Sequence, residues 1–430
     1  MQTPPRTPGS VRSPSAPAAD PSANPRGTAR ADAPPPPSPA SQALARQIAE
    51  AVQAAGGWMG FEDYMARALY TPGLGYYSRG DRQFGTLATD GSDFVTAPEL
   101  SPHFGRALAA QVAEALAATG VDEVWEFGAG SGALAAELLN GLAALGAAPR
   151  RYTIVDLSGT LRAKQQATLQ ARAPALADRV VWADALPAAM QGVVVGNELL
   201  DALPVALLHW DGAQWLERGV ALAAKSRPAE PGASAAASPA ADATPGFVWA
   251  DRPTTLRPPL DPGFPPGATV ELARQATAWL ASLGERLQRG AAFLIDYGFP
   301  EAEFFHPQRH AGTLMCHRAH RADPDPLDAP GDKDITAHVD FTAVAVAAQD
   351  AGFEVLGYTS QARFLINCGL LDLLPQGADL PALAARAAAA RLVNEHEMGE
   401  LFKVIGLVKA PPGPVFDARG FRAGDRSHRL

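Results

Sequence analysis

Residues 124–139 read VWEFGAGSGALAAELL. An apolar run reaches Glu126 and Phe127, Gly128, Gly130 and Gly132 alternate with small residues, and an alanine- and leucine-rich stretch follows. Few structures accommodate that order. It predicts a buried strand, a sharp turn lacking Cβ atoms where a ligand can approach the backbone, and a helix whose free N–H groups face the turn. The theme recurs downstream. YTIVDL (152–157), VVWAD (180–184), VVVGN (193–197) and AAFLIDYG (291–298) read as strands, while GALAAELLNGLAAL (132–145), TLRAKQQATLQARA (160–173) and a stretch over about 268–289 read as helices. FTAVAVAAQDAG, FEVLGYTS and LFKVIGLVKA add a helix and two strands. Strands alternating with helices predict an α/β fold: a mostly parallel, doubly wound sheet with helices on both faces.

The organisation expected from composition is a low-complexity, disordered tail over 1–40, a helical cap region over 41–120, and the α/β domain over 121–409. Within that domain, 222–245 is Ala/Pro/Ser-rich and expected to be disordered, and 299–340 is an inserted region expected on the substrate side. A second tail is expected over 410–430. The stretch 73–105 is too long for a simple connector and predicts a functional loop. With 47% hydrophobic residues, the chain can bury a sizeable core.

Charge and cysteine usage narrow the function. A net charge of −9 without basic clusters disfavours nucleic acid as a partner and suits a cationic substrate. Two cysteines, Cys316 and Cys368, provide no disulfide framework and fit a reducing compartment. No apolar stretch approaches the ~20 residues of a membrane span. The N-terminus lacks the apolar core of an export signal, so the cytoplasm is expected. Arg6, Arg12, Arg26 and Arg30 among Ser and Pro leave the mitochondrial matrix as the alternative, although the prolines oppose a transit-type helix. His306, His310, His317 and His320 crowd together, but Pro307 and Gly312 break any shared helix face, and no metal site is expected.

The glycine turn reads as a cofactor loop. GAGSGA also satisfies the dinucleotide pattern, with Ala133 last, and Asp156 at the end of the next strand suits the ribose hydroxyls of either cofactor. Two acids distinguish them. Glu126, beside the turn, suits a cofactor bearing a sulfonium and an ammonium rather than a pyrophosphate. Asp184, after the third strand, can accept from an adenine amino group. This succession of Glu, three glycines, Asp and Asp resembles the class I S-adenosylmethionine-dependent methyltransferases. Asn197, Glu198 and Asp201 then fall at the carboxyl end of the fourth strand, where open α/β sheets place ligands. Asn197 as the cap of a short helix is the plainer reading of the same residues.

A more specific resemblance rests on GYY, GSDFVTAPELS, FG, YTIVDLSGTLRAKQ, NELLDALPV, LIDYG and DITAHVDF, which with the glycine loop follow one another over about residues 45–409. Together they resemble the MidA-like family, whose mitochondrial members are arginine methyltransferases assisting assembly of respiratory complex I. The resemblance implies a class I (Rossmann-like) methyltransferase sheet with an N-terminal helical cap and insertions. It implies S-adenosyl-L-methionine bound by Glu126, Gly128, Gly130, Gly132 and Asp156, with Thr96, Pro98 and Glu99 closing over it. Asp156 stands where the family commonly has Glu. Asn197, Glu198 and Asp201 become the catalytic candidates, gripping a guanidinium, with His338 and Asp340 either as further substrate-side candidates or as caps of the helix FTAVAVAAQ. The implied substrate is a protein, a complex I subunit or its bacterial counterpart. The rival readings are an NAD-dependent oxidoreductase and a non-catalytic assembly or binding module on the same fold.

Overall fold

The computed structural model describes residues 35–79, 96–156, 159–224, 244–318, 321–323, 325–410 and 416–430. Most of the expected N-terminal tail, residues 225–243 of the expected insertion, residues 80–95 of the functional loop, and His320 lie outside them. The chain opens with α1 (Pro39–Ala54), β1 (Met59–Gly60), α2 (Phe61–Tyr70), α3 (Ala97–Leu100) and α4 (Pro102–Thr119). The α/β succession is β2 (Glu123–Phe127), α5 (Ala133–Ala144), β3 (Arg151–Val155), α6 (Gly159–Arg172), β4 (Val180–Ala183) and β5 (Met190–Asn197). An antiparallel excursion follows through β6 (Ala206–Trp210), β7 (Trp215–Leu222), β8 (Phe247–Pro253) and β9 (Thr269–Leu272). The chain returns with α7 (Arg274–Arg286) and β10 (Leu287–Phe299), then α8 (Glu301–Phe304), β11 (Met315–Arg318), β12 (Arg321–Asp323), β13 (Asp334–Thr336) and β14 (Val339–Asp340). It closes with α9 (Phe341–Asp350), β15 (Glu354–Ser360), α10 (Gln361–Asn367), α11 (Leu380–Val393) and β16 (Phe402–Lys409).

The central sheet runs β15-β16-β10-β5-β2-β3-β4, with β14 also on β10. Its strands are parallel except β16, which pairs antiparallel to both β10 and β15. Alternation along each strand sends side chains to two separate cores. Val124, Val193, Val195, Ala291 and Phe293 face one core with α4 and α5. Trp125, Phe127, Val194, Ala292 and Leu294 face the other with α7 and α9. Both faces are therefore covered, which is why these strands read as unbroken apolar runs.

Three sequence expectations need correction. The helix expected over 268–289 is only Arg274–Arg286, because Thr269–Leu272 pairs with β6 and the chain joins the central sheet from Leu287. The cap region does not stand apart up to residue 120. Helix α4 packs on α5 closely enough that a Cβ on Gly141 would lie 2.6 Å from that of Ala109, while α1 and α2 contact the antiparallel sheet. The C-terminal tail is not disordered over 416–430. Gln111 Oε1 accepts from the Gly420 amide at 2.7 Å, Asp425 accepts from the Tyr358 amide at 3.0 Å, and Phe421 is buried against Phe364. Glycines at 357 and 406 make room for the Phe421 ring, since a Cβ at either would approach it within 2.6 Å. Removal of that ring by Phe421→Ala is expected to cost about 3–5 kcal/mol, read as a lowered urea midpoint at unchanged slope.

Candidate active site

A cavity of about 1030 Å³ opens at the carboxyl ends of β2, β3, β4 and β5, bounded on its far side by Tyr70, Tyr77 and the β11–β13 sheet. Of the residues singled out from sequence, Thr96, Pro98, Glu99, Glu126, Gly128, Gly130, Asp156, Asp184, Asn197, Glu198, Asp201 and His338 all line it. Gly132 does not. It sits buried at the start of α5 with φ 83°, where a Cβ would lie 3.0 Å from Gln165 Cα, so its part is to let α5 pack beside α6. Asp340 also stays out of the lining and accepts from the Thr342 and Ala343 amides as the N-cap of α9.

The loop half is built by local geometry. Gly128 and Gly130 have φ of 67° and 51°, a left-handed conformation that bends the chain from β2 toward α5. The Ser131 hydroxyl bonds the Glu99 carboxylate, tying the short α3 onto this loop. The Glu126 carboxyl accepts from the Tyr152 hydroxyl at 2.7 Å and is almost fully buried, and that burial raises it to about 7. Asp156 accepts from Gln165 Nε2 at 2.7 Å, and the same nitrogen donates to the Gly130 carbonyl at 3.1 Å. Gln165 thus binds the glycine loop to the end of β3, while its Oε1 accepts from Trp182 on β4. Arg162 pairs with Asp184, which is exposed at the rim. Both Arg162 and Gln165 lie in the YTIVDLSGTLRAKQ motif, but the sequence reading gave them no task.

The strand-tip half answers a different constraint. Glu198 has φ 52°, a conformation that costs a residue with a side chain about 1–2 kcal/mol. Asp296, at the end of the neighbouring β10, explains how it persists. Its Oδ2 accepts from the amides of Leu199, Leu200 and Asp201 at 3.1, 2.8 and 3.2 Å, and its Oδ1 accepts from Tyr297 N–H at 2.9 Å. A fully buried carboxylate thus fills a nest of successive N–H groups. Asp296 belongs to the LIDYG motif, and only the β5–β10 pairing reveals what it does.

Carboxyl groups crowd here. Burial, then Asp201, raises Glu198 to about 8, and burial raises Asp201 to about 6 against the opposing pull of the Tyr297 hydroxyl. Burial and these two acids push Asp296 well above its ordinary value. With Glu198 raised to about 8, the three acids carry fewer than three negative charges at neutral pH. Four buried polar atoms of lining residues have no hydrogen-bond partner among the described residues: Asn197 Oδ1, Asp201 Oδ1, Thr336 Oγ1 and His338 Nδ1. Burial lowers His338 to about 4, leaving the ring neutral between the Phe299 and Tyr297 rings. Asp334, Tyr77 and Tyr297 line the same space and were not singled out from sequence. Of the clustered histidines, His317 lines the cavity, whereas His306 caps a short helical turn.

Among the described lining residues there are seven carboxylates and no lysine or arginine. That sign, a glycine loop opening on the cavity, and Glu126 and Asp156 at successive strand ends fit S-adenosyl-L-methionine and its positive charges. Fold and site define the class I S-adenosylmethionine-dependent methyltransferases, and comparison with known proteins agrees. The family model described as "Putative S-adenosyl-L-methionine-dependent methyltransferase" matches residues 107–359, and the chain belongs to that family. A crystal structure of a Burkholderia thailandensis protein bound to S-adenosyl-homocysteine is 49% identical, covering 92% of this chain and all of that one, with a TM-score of 0.83. The protein arginine methyltransferase NDUFAF7 of Danio rerio is 26% identical over 80% of this chain and 82% of its own length. Its Homo sapiens counterpart is also 26% identical, over 80% of this chain and 79% of its own. The MidA-like resemblance read from sequence is thereby supported, and S-adenosyl-L-methionine is the cofactor.

Two outcomes follow from this geometry. Gly130→Val, at φ 51°, is expected to abolish S-adenosylhomocysteine binding in calorimetric titration while the far-ultraviolet spectrum stays that of the parent. Glu198→Gln is expected to raise the melting temperature of the ligand-free protein above pH 8 and leave it unchanged near pH 4. A carboxyl raised in the folded state holds its proton there while the unfolded chain has lost it, so folding stability falls as pH rises from about 4.5 to about 8. Glutamine removes that loss.

Proposed function

We propose that this protein transfers a methyl group from S-adenosyl-L-methionine to a guanidinium nitrogen of an arginine in a protein partner. The observation that carries this reading is the strand-tip half of the cavity, where the carboxyls of Glu198, Asp201 and Asp334 line one space with the buried acceptors Asn197 Oδ1 and Asp201 Oδ1, which have no hydrogen-bond partner among the described residues. The names of the NDUFAF7 relatives support it.

Bound S-adenosyl-L-methionine supplies a methyl group already activated by a sulfonium. The remaining work is positioning. The Gly128–Gly132 turn leaves backbone accessible to the cofactor, Asp156 accepts from ribose hydroxyls, and Asp184 at the rim accepts from the adenine amino group. Glu126 offsets positive charge beside the turn, and Thr96, Pro98 and Glu99 close the cavity above it. A guanidinium is a poor nucleophile because its charge is delocalised and its pKa exceeds 12. Glu198 and Asp201 grip it through charge-assisted hydrogen bonds and concentrate electron density on the attacking nitrogen. Asn197 orients the pair, and Glu198 Oε1 already accepts from Asn197 Nδ2 at 3.1 Å. An arriving cation pulls the Glu198 pKa down from about 8, freeing the carboxylate to take up the proton lost after transfer. His338, neutral and with Nδ1 unpartnered, is a further acceptor on the substrate side.

The expected partner remains a respiratory complex I subunit or its bacterial counterpart, and the expected compartment the cytoplasm or the mitochondrial matrix. Among the described residues no helix is long and apolar enough to cross a membrane. The test is incubation of the purified chain with S-adenosyl-[methyl-³H]methionine and protein extract from cells lacking its gene, followed by complete hydrolysis. Label is expected on methylarginine, and Glu198→Gln is expected to reduce it about 100-fold or more with S-adenosylhomocysteine affinity retained. Label on another residue type would overturn arginine as the acceptor. Absence of label with intact cofactor binding would favour the assembly-module reading.

A further inference from the structure

The far wall of the cavity carries its own acid, and that acid is mechanically joined to the strand tip. Asp334, on β13, accepts from the Tyr77 hydroxyl at 2.8 Å. The Tyr77 ring stacks on Tyr70, with centroids 5.6 Å apart and planes 25° from parallel. The Tyr70 hydroxyl in turn donates to the Ala202 carbonyl at 2.8 Å, one residue beyond Asp201. Two stacked phenols therefore span the space between the Glu198/Asp201 wall and the Asp334 wall, each hydroxyl anchored at one end. All of these residues except Ala202's carbonyl anchor act through side chains that line the cavity. The walls also sense each other's charge: burial is the main cause that raises Glu198, Tyr70 and Tyr77, and Asp334 and Asp201 add to it in each.

An acidic cluster alone says little, because carboxylates gather on many surfaces. This one is joined by polar atoms buried without partners. Asp201 is 4% exposed with Oδ1 unpaired, and Thr336, two residues along β13 from Asp334, is 4% exposed with Oγ1 unpaired. Leaving such atoms unbonded is unfavourable, and a ligand presenting several donors removes that cost. Ammonium offers three donors around a point charge on a flexible stem. Guanidinium offers five in one plane and stacks favourably against aromatic rings.

We propose that Asp334, held by the Tyr77–Tyr70 stack, forms a second jaw opposite Glu198 and Asp201, and that acids on both walls with the aromatic stack between them select a flat guanidinium over a lysine ammonium. The inference deepens the arginine reading and rests on it. Glu198 and Asp201 hold one edge of the group, and Asp334 takes the N–H donors that the first wall does not reach. Selection between arginine and lysine thus comes from the β11–β13 insertion and the turn after α2, outside the methyltransferase sheet.

The test uses the whole chain saturated with S-adenosylhomocysteine, titrated by nuclear magnetic resonance with acetyl-Gly-Arg-Gly-amide and acetyl-Gly-Lys-Gly-amide. The arginine probe is expected to bind about tenfold or more tightly than the lysine probe, and Asp334→Asn to weaken it about tenfold, as loss of a charge-assisted bond requires. S-adenosylhomocysteine affinity is expected to stay within about twofold in that variant, since the cofactor residues lie on the other half. Tyr77→Phe removes only the hydroxyl that steadies Asp334, and it is expected to weaken the arginine probe about threefold. If Asp334→Asn fails to fold, Tyr77→Phe decides the matter. Unchanged arginine-probe affinity in a folded variant, or equal affinity of the parent for both probes, overturns the second jaw. Failure of the arginine probe to bind the parent at all overturns the guanidinium reading beneath it.

Discussion

Three backbone N–H groups converging on one buried carboxylate organise the reactive end of this protein. Asp296 accepts from Leu199, Leu200 and Asp201, and the turn it stabilises carries Glu198 in a left-handed conformation that an isolated chain would rarely adopt. Without that anchor, the residues after β5 have no reason to fold back over the strand tip, and Glu198 and Asp201 have no reason to share a cavity wall. The anchor sits on β10, so the arrangement depends on the β5–β10 pairing, and through it on the order of the whole sheet. The Glu198 amide reinforces it by donating to the Ile295 carbonyl at 2.9 Å.

The same interaction explains why the site is acidic beyond what hydration would favour. Glu198, Asp201 and Asp296 are brought together by backbone geometry; burial raises each of them, Asp201 adds to the rise of Glu198, and both add to that of Asp296. Such an arrangement holds unfavourable electrostatics in the folded protein, so stability is given up locally at this strand tip. The two apolar cores, one on each face of the sheet, supply the rigidity that allows this.

The antiparallel sheet of β6, β7, β9 and β8, with β1 at its margin, and the small β11–β13 sheet distinguish this chain from a bare α/β domain. They enter where loops leave the carboxyl ends of β5 and β10, the end at which α/β sheets bind ligands. Cavity residues Tyr70, Tyr77, Met315, His317 and Asp334 come from these additions, the end of α2 and the turn after it. The central sheet contributes Glu126, Asp156 and the glycine turn to the cavity, and the insertions contribute its far wall.

Sequence by itself determined the parts whose physics is local. The strand-to-helix turn at Gly128–Gly132, the period-matched helices, the buried strands, and the acids placed one per strand end were all legible, because hydrophobic spacing and glycine placement act over a few residues. Gly132 was grouped with the ligand loop although it serves helix packing, and Asp340 with the substrate although it caps α9. Local pattern cannot distinguish those uses. What only the tertiary structure decided were the relations between distant segments. Asp296 lies 95 residues or more from the Leu199, Leu200 and Asp201 amides that its Oδ2 receives, and Tyr77 lies 257 from Asp334. The C-terminal segment looks like a polar tail until Phe421 finds the space left by Gly357 and Gly406. Each of these depends on which strands become neighbours. Strand order is fixed by the packing of both sheet faces at once, and no short stretch of sequence carries that information.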